Sequence, residues 1–105
     1  DALRPTVGFY GGFFPRYNRL MAESGFPEVA QAIREAWDRG DRDAATRAVP
    51  DALVEATSVV GTAADCQERI AAYRQSGIHL PIISPRSAVL GKDGAIAAIK
   101  ACAPQ

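Results

Sequence analysis

Two residues that follow a short apolar run are the first candidates for binding chemistry. Ser84 and Arg86 come directly after the run at residues 78–83. A guanidinium group binds anions through paired hydrogen bonds, and β/α enzymes bind their ligands beyond the C-terminal ends of the strands. These residues therefore predict a site for an anionic cofactor or substrate group. The alternative is a solvated loop arginine beside a serine turn.

A second candidate site is the segment at residues 9–17, where aromatic rings surround paired glycines. Aromatic faces stack on planar ligands, and glycines allow a ligand to approach the backbone closely. The segment therefore predicts a ligand pocket, and the alternative is hydrophobic packing, either within one domain or between subunits. Its candidate residues are Phe9, Tyr10, Phe13, Phe14, Arg16 and Tyr17.

The remaining reactive side chains favour structural roles. His79 is the sole histidine and could act as a general base, but it lies at the start of the apolar run, at the end where barrel enzymes do not place catalytic residues. Cys66 and Cys102 are too far apart for a C-x-x-C motif and follow the apolar side of helical patterns, which predicts reduced core thiols. We therefore predict no catalytic residue and no metal site.

Composition predicts one ordered segment and excludes several partners. The 105 residues are 48% hydrophobic, and 12 basic residues balance 12 acidic ones, so no net field attracts nucleic acid or anionic lipid. The sequence has neither a signal peptide nor an apolar stretch long enough for a membrane helix, which predicts a cytoplasmic protein. The chain opens with Asp1, from which we expect a designed or proteolytic N-terminal boundary.

The first half of the chain predicts consecutive helices. Apolar residues that recur at helical spacing from Pro27 to Trp37 indicate an amphipathic helix. Adjacent glycines weaken helices, so a first helical turn is expected to break at Gly11 and Gly12. The other predicted elements are a turn at Pro5–Tyr10, a helix from Pro15 to about Ser24, one from Asp41 to about Val49, and a restart at Pro50 with Leu53 and Val54 inward.

The second half predicts the order helix, strand, helix. Thr62 and Asp65 have the spacing of a capping box, so a helix is expected from Ala63 to Gly77, and the threonine rather than a phosphate is expected to occupy its free amides. The apolar run at 80–84 predicts a strand covered on both faces. A last helix is predicted from Asp93 or Gly94, with Ile96, Ile99 and Cys102 inward.

A strand that is apolar on both faces needs neighbours on both edges, because unpaired backbone groups in a dry setting are costly. The other strand-like stretches, at residues 6–10 and 57–60, are short and adjoin helical patterns. We therefore expect Ile82 and Ile83 to form a core strand whose partners lie in further polypeptide. This arrangement is typical of the end of a repeating β/α protein.

An ordered set of short motifs runs through most of the chain. The motifs are Ala-Glu-Ser-Gly-Phe at 22–26, Glu-Ala-Trp-Asp-Arg-Gly-Asp at 35–41, Val-Pro-Asp-Ala-Leu-Val at 49–54, Val-Gly-Thr at 60–62, Glu-Arg-Ile-Ala-Ala-Tyr at 68–73 and Ser-Gly-Ile at 76–78. Each motif is common by itself, but their order and spacing together are specific. The set resembles the C-terminal region of luciferase-like monooxygenases, particularly those that use the deazaflavin coenzyme F-420.

The resemblance implies α/β ancestry in a (β/α)8 TIM barrel about three times as long as this chain. Residues 1–61 would be a helical insertion, and residues 62–105 the seventh helix, eighth strand and eighth helix of the barrel. The parent would be an oxidoreductase that uses FMN or coenzyme F-420. Most of the residues that bind the phosphate of this cofactor would lie in earlier strands and loops.

Because those strands and loops are missing here, we expect this chain alone to bind no cofactor and to be inactive. Its partner would be the N-terminal barrel portion or further copies of itself. The alternative function is a non-enzymatic, self-associating helical module.

Overall fold

The computed structural model describes residues 1–104, and all regular secondary structure in that range is helical. The chain divides into two compact units, Asp1–Ser58 and a second unit that begins at Val59. In chain order the helices are α1 (Arg4–Phe13), α2 (Pro15–Glu23), α3 (Pro27–Asp38), α4 (Arg42–Arg47), α5 (Asp51–Thr57), α6 (Ala63–Gln75) and α7 (Ser87–Cys102).

The core of the first unit forms around α3. Ala30, Ile33 and Ala36 lie on one face of this helix and are buried, as the helical spacing predicted. Val49 and Leu53 complete the most buried part of the cluster. The predicted helix starts at Pro15, Pro27 and Asp41 and the restart at Pro50 are confirmed, because local signals such as prolines and caps set them.

Helix α1 buries glycines instead of large side chains. Gly8, Gly11 and Gly12 are buried, and Gly11 and Gly12 lie about one helical turn after Gly8 on the same face. A Cβ atom at Gly8 would lie 3.1 Å from the backbone oxygen of Ala45, so α1 approaches α4 backbone to backbone. A Cβ at Gly12 would lie 2.5 Å from the indole of Trp37. The missing side chains are therefore what allows this packing.

The predicted break at Gly11 and Gly12 is wrong, because α1 continues through both residues to Phe13. Helix propensity disfavours glycine by about 1 kcal/mol per residue, but here the glycines provide the contact surface. Tertiary packing therefore overrides local preference, and the chain leaves the helix at Phe14, immediately before Pro15.

The second unit begins with a helix whose start was predicted correctly. The Thr62 hydroxyl accepts a hydrogen bond from the backbone amide of Asp65, and the Asp65 carboxylate accepts one from the amide of Thr62 at 2.7 Å. The Thr62 hydroxyl also donates to this carboxylate, and these bonds hold the pKa of Asp65 below its usual value. The carboxylate therefore stabilises the fold above its unfolded-state pKa, and this contribution is lost as pH falls through the lowered value.

The predicted strand at 80–84 is not a strand in the structure, and this expectation is corrected. The segment is irregular, and Leu80 and Ile82 are 79% and 86% exposed. A strand needs a neighbour to accept and donate its ladder hydrogen bonds, and residues 1–104 contain no other strand. Without that partner, the backbone of this segment does not form a sheet.

The last helix also differs from its prediction. It begins at Ser87 and is interrupted at Gly91, where φ is 69°, so its regular second part starts close to the expected residue. Its inner face consists of small residues, with Ala95 buried and Cys102 half-buried, whereas Ile96 and Ile99 are 41% and 52% exposed. The inward orientation predicted for both isoleucines is therefore wrong.

The glycine face of α1 yields a prediction with an internal control. Gly12→Ala is expected to destabilise the protein by about 1 kcal/mol, because overpacking against the Trp37 ring exceeds the gain in helix propensity. Gly11→Ala has the same gain and meets the flexible end of Met21 at 2.9 Å, so it is expected to cost less. Urea unfolding followed by Trp37 fluorescence compares them, and equal or reversed effects would contradict the packing argument.

Candidate functional site

The six predicted pocket or interface residues are brought together on α1, α2 and the link between them. Five of them carry rings that form a continuous network, in which Phe9 and Phe13 stack at 5.5 Å between centroids and Tyr10 meets Tyr17 edge-on at 5.0 Å. Phe14 contacts rings on both sides, and Trp37 of α3 joins the network through Phe9 at 5.7 Å. Arg16 lies exposed beside them.

The rings are turned outward because the glycines of α1 are turned inward. The five ring side chains are between 36% and 55% exposed, which is unusual for a contiguous set of large aromatic residues. Arg42 places its guanidinium 5.1 Å from the Trp37 ring, so a cation covers one end of the cluster. The segment therefore presents an apolar aromatic surface.

An open groove of about 510 Å³ lies beside this surface, entirely within the first unit. Tyr10 and Tyr17 form one wall, which joins the groove to the ring network. Its other large lining residues are Leu20, Met21, Phe26 and Leu53. This volume falls in the range of small-molecule pockets. Of the predicted residues, only the two tyrosines reach the groove.

The groove has the chemistry of a site for an uncharged ligand. None of the described residues that line it carries a charge, and its polar groups are hydroxyls, including those of Thr6, Ser24, Thr57 and Ser58. The Thr57 hydroxyl already donates to the Leu53 carbonyl at 2.7 Å. A phosphate needs cations or converging amides, so the groove does not fit the phosphate of a flavin nucleotide.

The predicted cofactor-binding pair lies in the second unit. Ser84 is exposed in the irregular segment, and Arg86 immediately precedes α7, where its carbonyl accepts from the amides of Val89 and Leu90 at 2.9 Å. Neither residue lines the groove. Both residues are exposed, and their proposed role in cofactor binding stays a prediction.

The other reactive side chains singled out from the sequence lie in the second unit. His79 is exposed. Burial, followed by the neighbouring Cys102 and Asp65, raises the pKa of the Cys66 thiol and favours its protonated form. Among residues 1–104, no three His, Cys, Asp or Glu side chains converge as metal ligands, and no helix is both long and apolar enough to cross a membrane.

Sequence reasoning missed the residues that form the groove opposite the tyrosines. Leu20 and Met21 follow Tyr17 at helical spacing, which was a signal that one face of α2 continues the aromatic surface. Phe26 had no such signal, because it lies just before α3 and outside the helical spacing of α2. Leu53 comes from α5, which is distant in the sequence, so its contribution depends on how α5 packs.

Asn18 positions the aromatic segment through two hydrogen bonds. Its side-chain amide donates to the carbonyl of Gly11 at 2.9 Å and to that of Ala30 at 2.7 Å. The Gly11 carbonyl would normally accept from the residue four positions on, but that residue is Pro15, which has no amide hydrogen. Asn18 supplies the missing donor and ties α2 to α1 and α3.

Removing this donor is expected to destabilise the first unit. Asn18→Ala leaves the Gly11 carbonyl without its donor, which should lower the free energy of unfolding by about 1–3 kcal/mol. Gln31→Ala is the matched control, because it removes an exposed side-chain bond to Glu35 and should change stability by about 0.5 kcal/mol or less. Similar losses for both variants in urea titrations would contradict this role.

Comparison with known proteins identifies one family. A family model described as luciferase-like monooxygenase matches residues 1–80. No curated protein and no solved structure matches the chain. The matched range includes the whole first unit, with its groove, as well as α6.

Proposed function

We propose, from the premise that this chain belongs to the luciferase-like monooxygenase family, that it is the C-terminal segment of a flavin- or deazaflavin-dependent oxidoreductase. The observation that carries the proposal is the family match over residues 1–80. In this proposal, the segment supplies an apolar surface, and the redox chemistry depends on a cofactor held mainly by other parts of a complete barrel. This chain alone is then inactive.

Two features of the structure support a role as a segment of a larger fold. Residues 1–104 contain no strand, whereas the TIM barrel of the proposed parent has a core of eight strands. The segment after α6 also exposes several large apolar side chains that a complete core would cover. We propose that residues 1–61 are the helical insertion and residues 62–105 the barrel end.

The exposed segment has a defined place in this proposal. Residues 80–84 would become the eighth strand once neighbouring strands supply ladder partners and cover Leu80 and Ile82. Helix α6 would be the seventh barrel helix, and the regular part of α7 the eighth. The irregular conformation of 80–84 agrees with a segment whose pairing depends on absent strands.

The groove supports a role in substrate binding. Its lining is apolar and uncharged, and its hydroxyls can orient a polar substituent without requiring a charge. We propose that it accepts an uncharged, largely apolar substrate portion, while the flavin-type ring, when bound, supplies the hydride or activates oxygen. The chain's own contribution is to bind and to exclude water through Tyr10, Tyr17 and Leu20.

The first test is whether the isolated chain binds a flavin. Titration of FMN, followed by flavin fluorescence and isothermal calorimetry, is expected to show no saturable binding at micromolar concentrations, because the groove has no phosphate-binding cation. Riboflavin is the control ligand, since it has the same ring without the phosphate. Micromolar FMN binding that Arg86→Ala abolishes would contradict the proposed incompleteness and support a cofactor site at Ser84 and Arg86.

A second candidate function is a self-associating helical module. The observation that favours it is the exposed apolar surface of the second unit, because such surfaces commonly mark protein contacts. Its largest members are Ile78, Leu80, Ile82, Ile83, Val89, Leu90, Ile96 and Ile99. Copies of the chain could cover this surface by pairing their exposed segments.

Sedimentation equilibrium at several protein concentrations tests this second function. A self-associating module is expected to show a concentration-dependent mass that Ile82→Glu reduces, since a charge opposes burial at a site that is 86% exposed in one copy. Gln75→Glu is the control, because it adds the same charge at an exposed polar position. A monomer at every concentration would exclude self-association and leave the first proposal in place.

A further inference from the structure

The two cysteines of the second unit lie next to each other in the fold. Cys66 is in the first turns of α6, and Cys102 is the last residue of α7. Both are free and half-buried, and Cys102 is one of the neighbours that raise the pKa of the Cys66 thiol, so the two side chains lie close to each other. The fold therefore brings together two thiols that are 36 positions apart in the sequence.

A separate contact holds the same two helix ends together. The side-chain amide of Gln67 donates to the backbone carbonyl of Ala101 at 2.8 Å. These two residues are the chain neighbours of Cys66 and Cys102. The closeness of the thiols is therefore a property of how α6 and α7 pack.

We propose that Cys66 and Cys102 are a redox modification site that forms a reversible disulfide within one chain. The oxidant is a low-molecular-weight disulfide such as oxidised glutathione. One cysteine thiolate attacks the sulfur–sulfur bond of the oxidant and expels a first glutathione thiolate. The second cysteine, once deprotonated, attacks the protein sulfur of this mixed disulfide and expels the second.

The atoms and electrons of this exchange balance. Two protein thiols are oxidised to one disulfide, and one glutathione disulfide is reduced to two thiols, which take up the two protons. The new bond fastens the start of α6 to the end of α7, and it encloses the exposed segment at 80–84 in a covalent loop. The site does not depend on the proposed enzymatic function.

The test uses the full chain equilibrated with glutathione at several ratios of oxidised to reduced form. After acid quenching, intact mass measured without reductant should fall by the mass of two hydrogen atoms, and dithiothreitol should reverse the change. The oxidised chain should melt on the order of 10 °C higher, because the loop restricts the unfolded state. A covalent dimer, stable adducts on both cysteines, or no mass change at the most oxidising ratio would overturn the proposal.

Cys66→Ser and Cys102→Ser are matched controls. Each variant should lose the internal disulfide and should instead retain one glutathione adduct on the remaining cysteine, because no second thiol is present to resolve it. If either variant gains the higher melting temperature on oxidation, the internal disulfide is not its cause. The mass measurement on the unaltered chain decides the proposal even if a variant fails to fold.

Discussion

The close approach at the glycine face of α1 is the constraint on which the first unit depends. Gly8 lets the backbone of α1 rest on that of α4, and Gly12 leaves room for the Trp37 indole. Since the buried face of α1 consists of glycines, its large aromatic rings lie on the exposed face. The packing of this one helix face therefore determines both the compact core and the aromatic surface on the opposite side of the helix.

The groove is a consequence of how α1 ends. Pro15 deprives the Gly11 carbonyl of a helical donor, and Asn18 replaces it, while Arg34 donates to the Gly12 carbonyl at 3.1 Å. These side-chain bonds fix the angle between α1 and α2 and bring Tyr17 to Tyr10. The result is an apolar, uncharged groove, which agrees with the proposed role in binding an uncharged portion of a substrate.

The second unit has a small core between α6 and α7. Its two helices bury Ile70 and Ala95 and share the Gln67–Ala101 hydrogen bond, whereas most of its other large apolar side chains are exposed. The same packing brings Cys66 and Cys102 close together. In the proposed parent barrel, the exposed side chains would be the ones that the remaining strands and helices cover, and the thiol pair would stay a local property of α6 and α7.

The sequence by itself determined the helices that carry their own boundary signals. Pro15, Pro27, Asp41 and the Thr62–Asp65 box act within one turn of chain, so their effects can be read without knowing the fold. The family resemblance was also visible in ordered motifs. Only the tertiary structure decided that α1 continues through Gly11 and Gly12, that Phe26 and Leu53 line a groove, and that residues 80–84 stay irregular. The helix and the groove depend on packing between different helices, and its energy exceeds the local preference of the residues. The segment at 80–84 depends on a partner strand, which its own residues cannot supply.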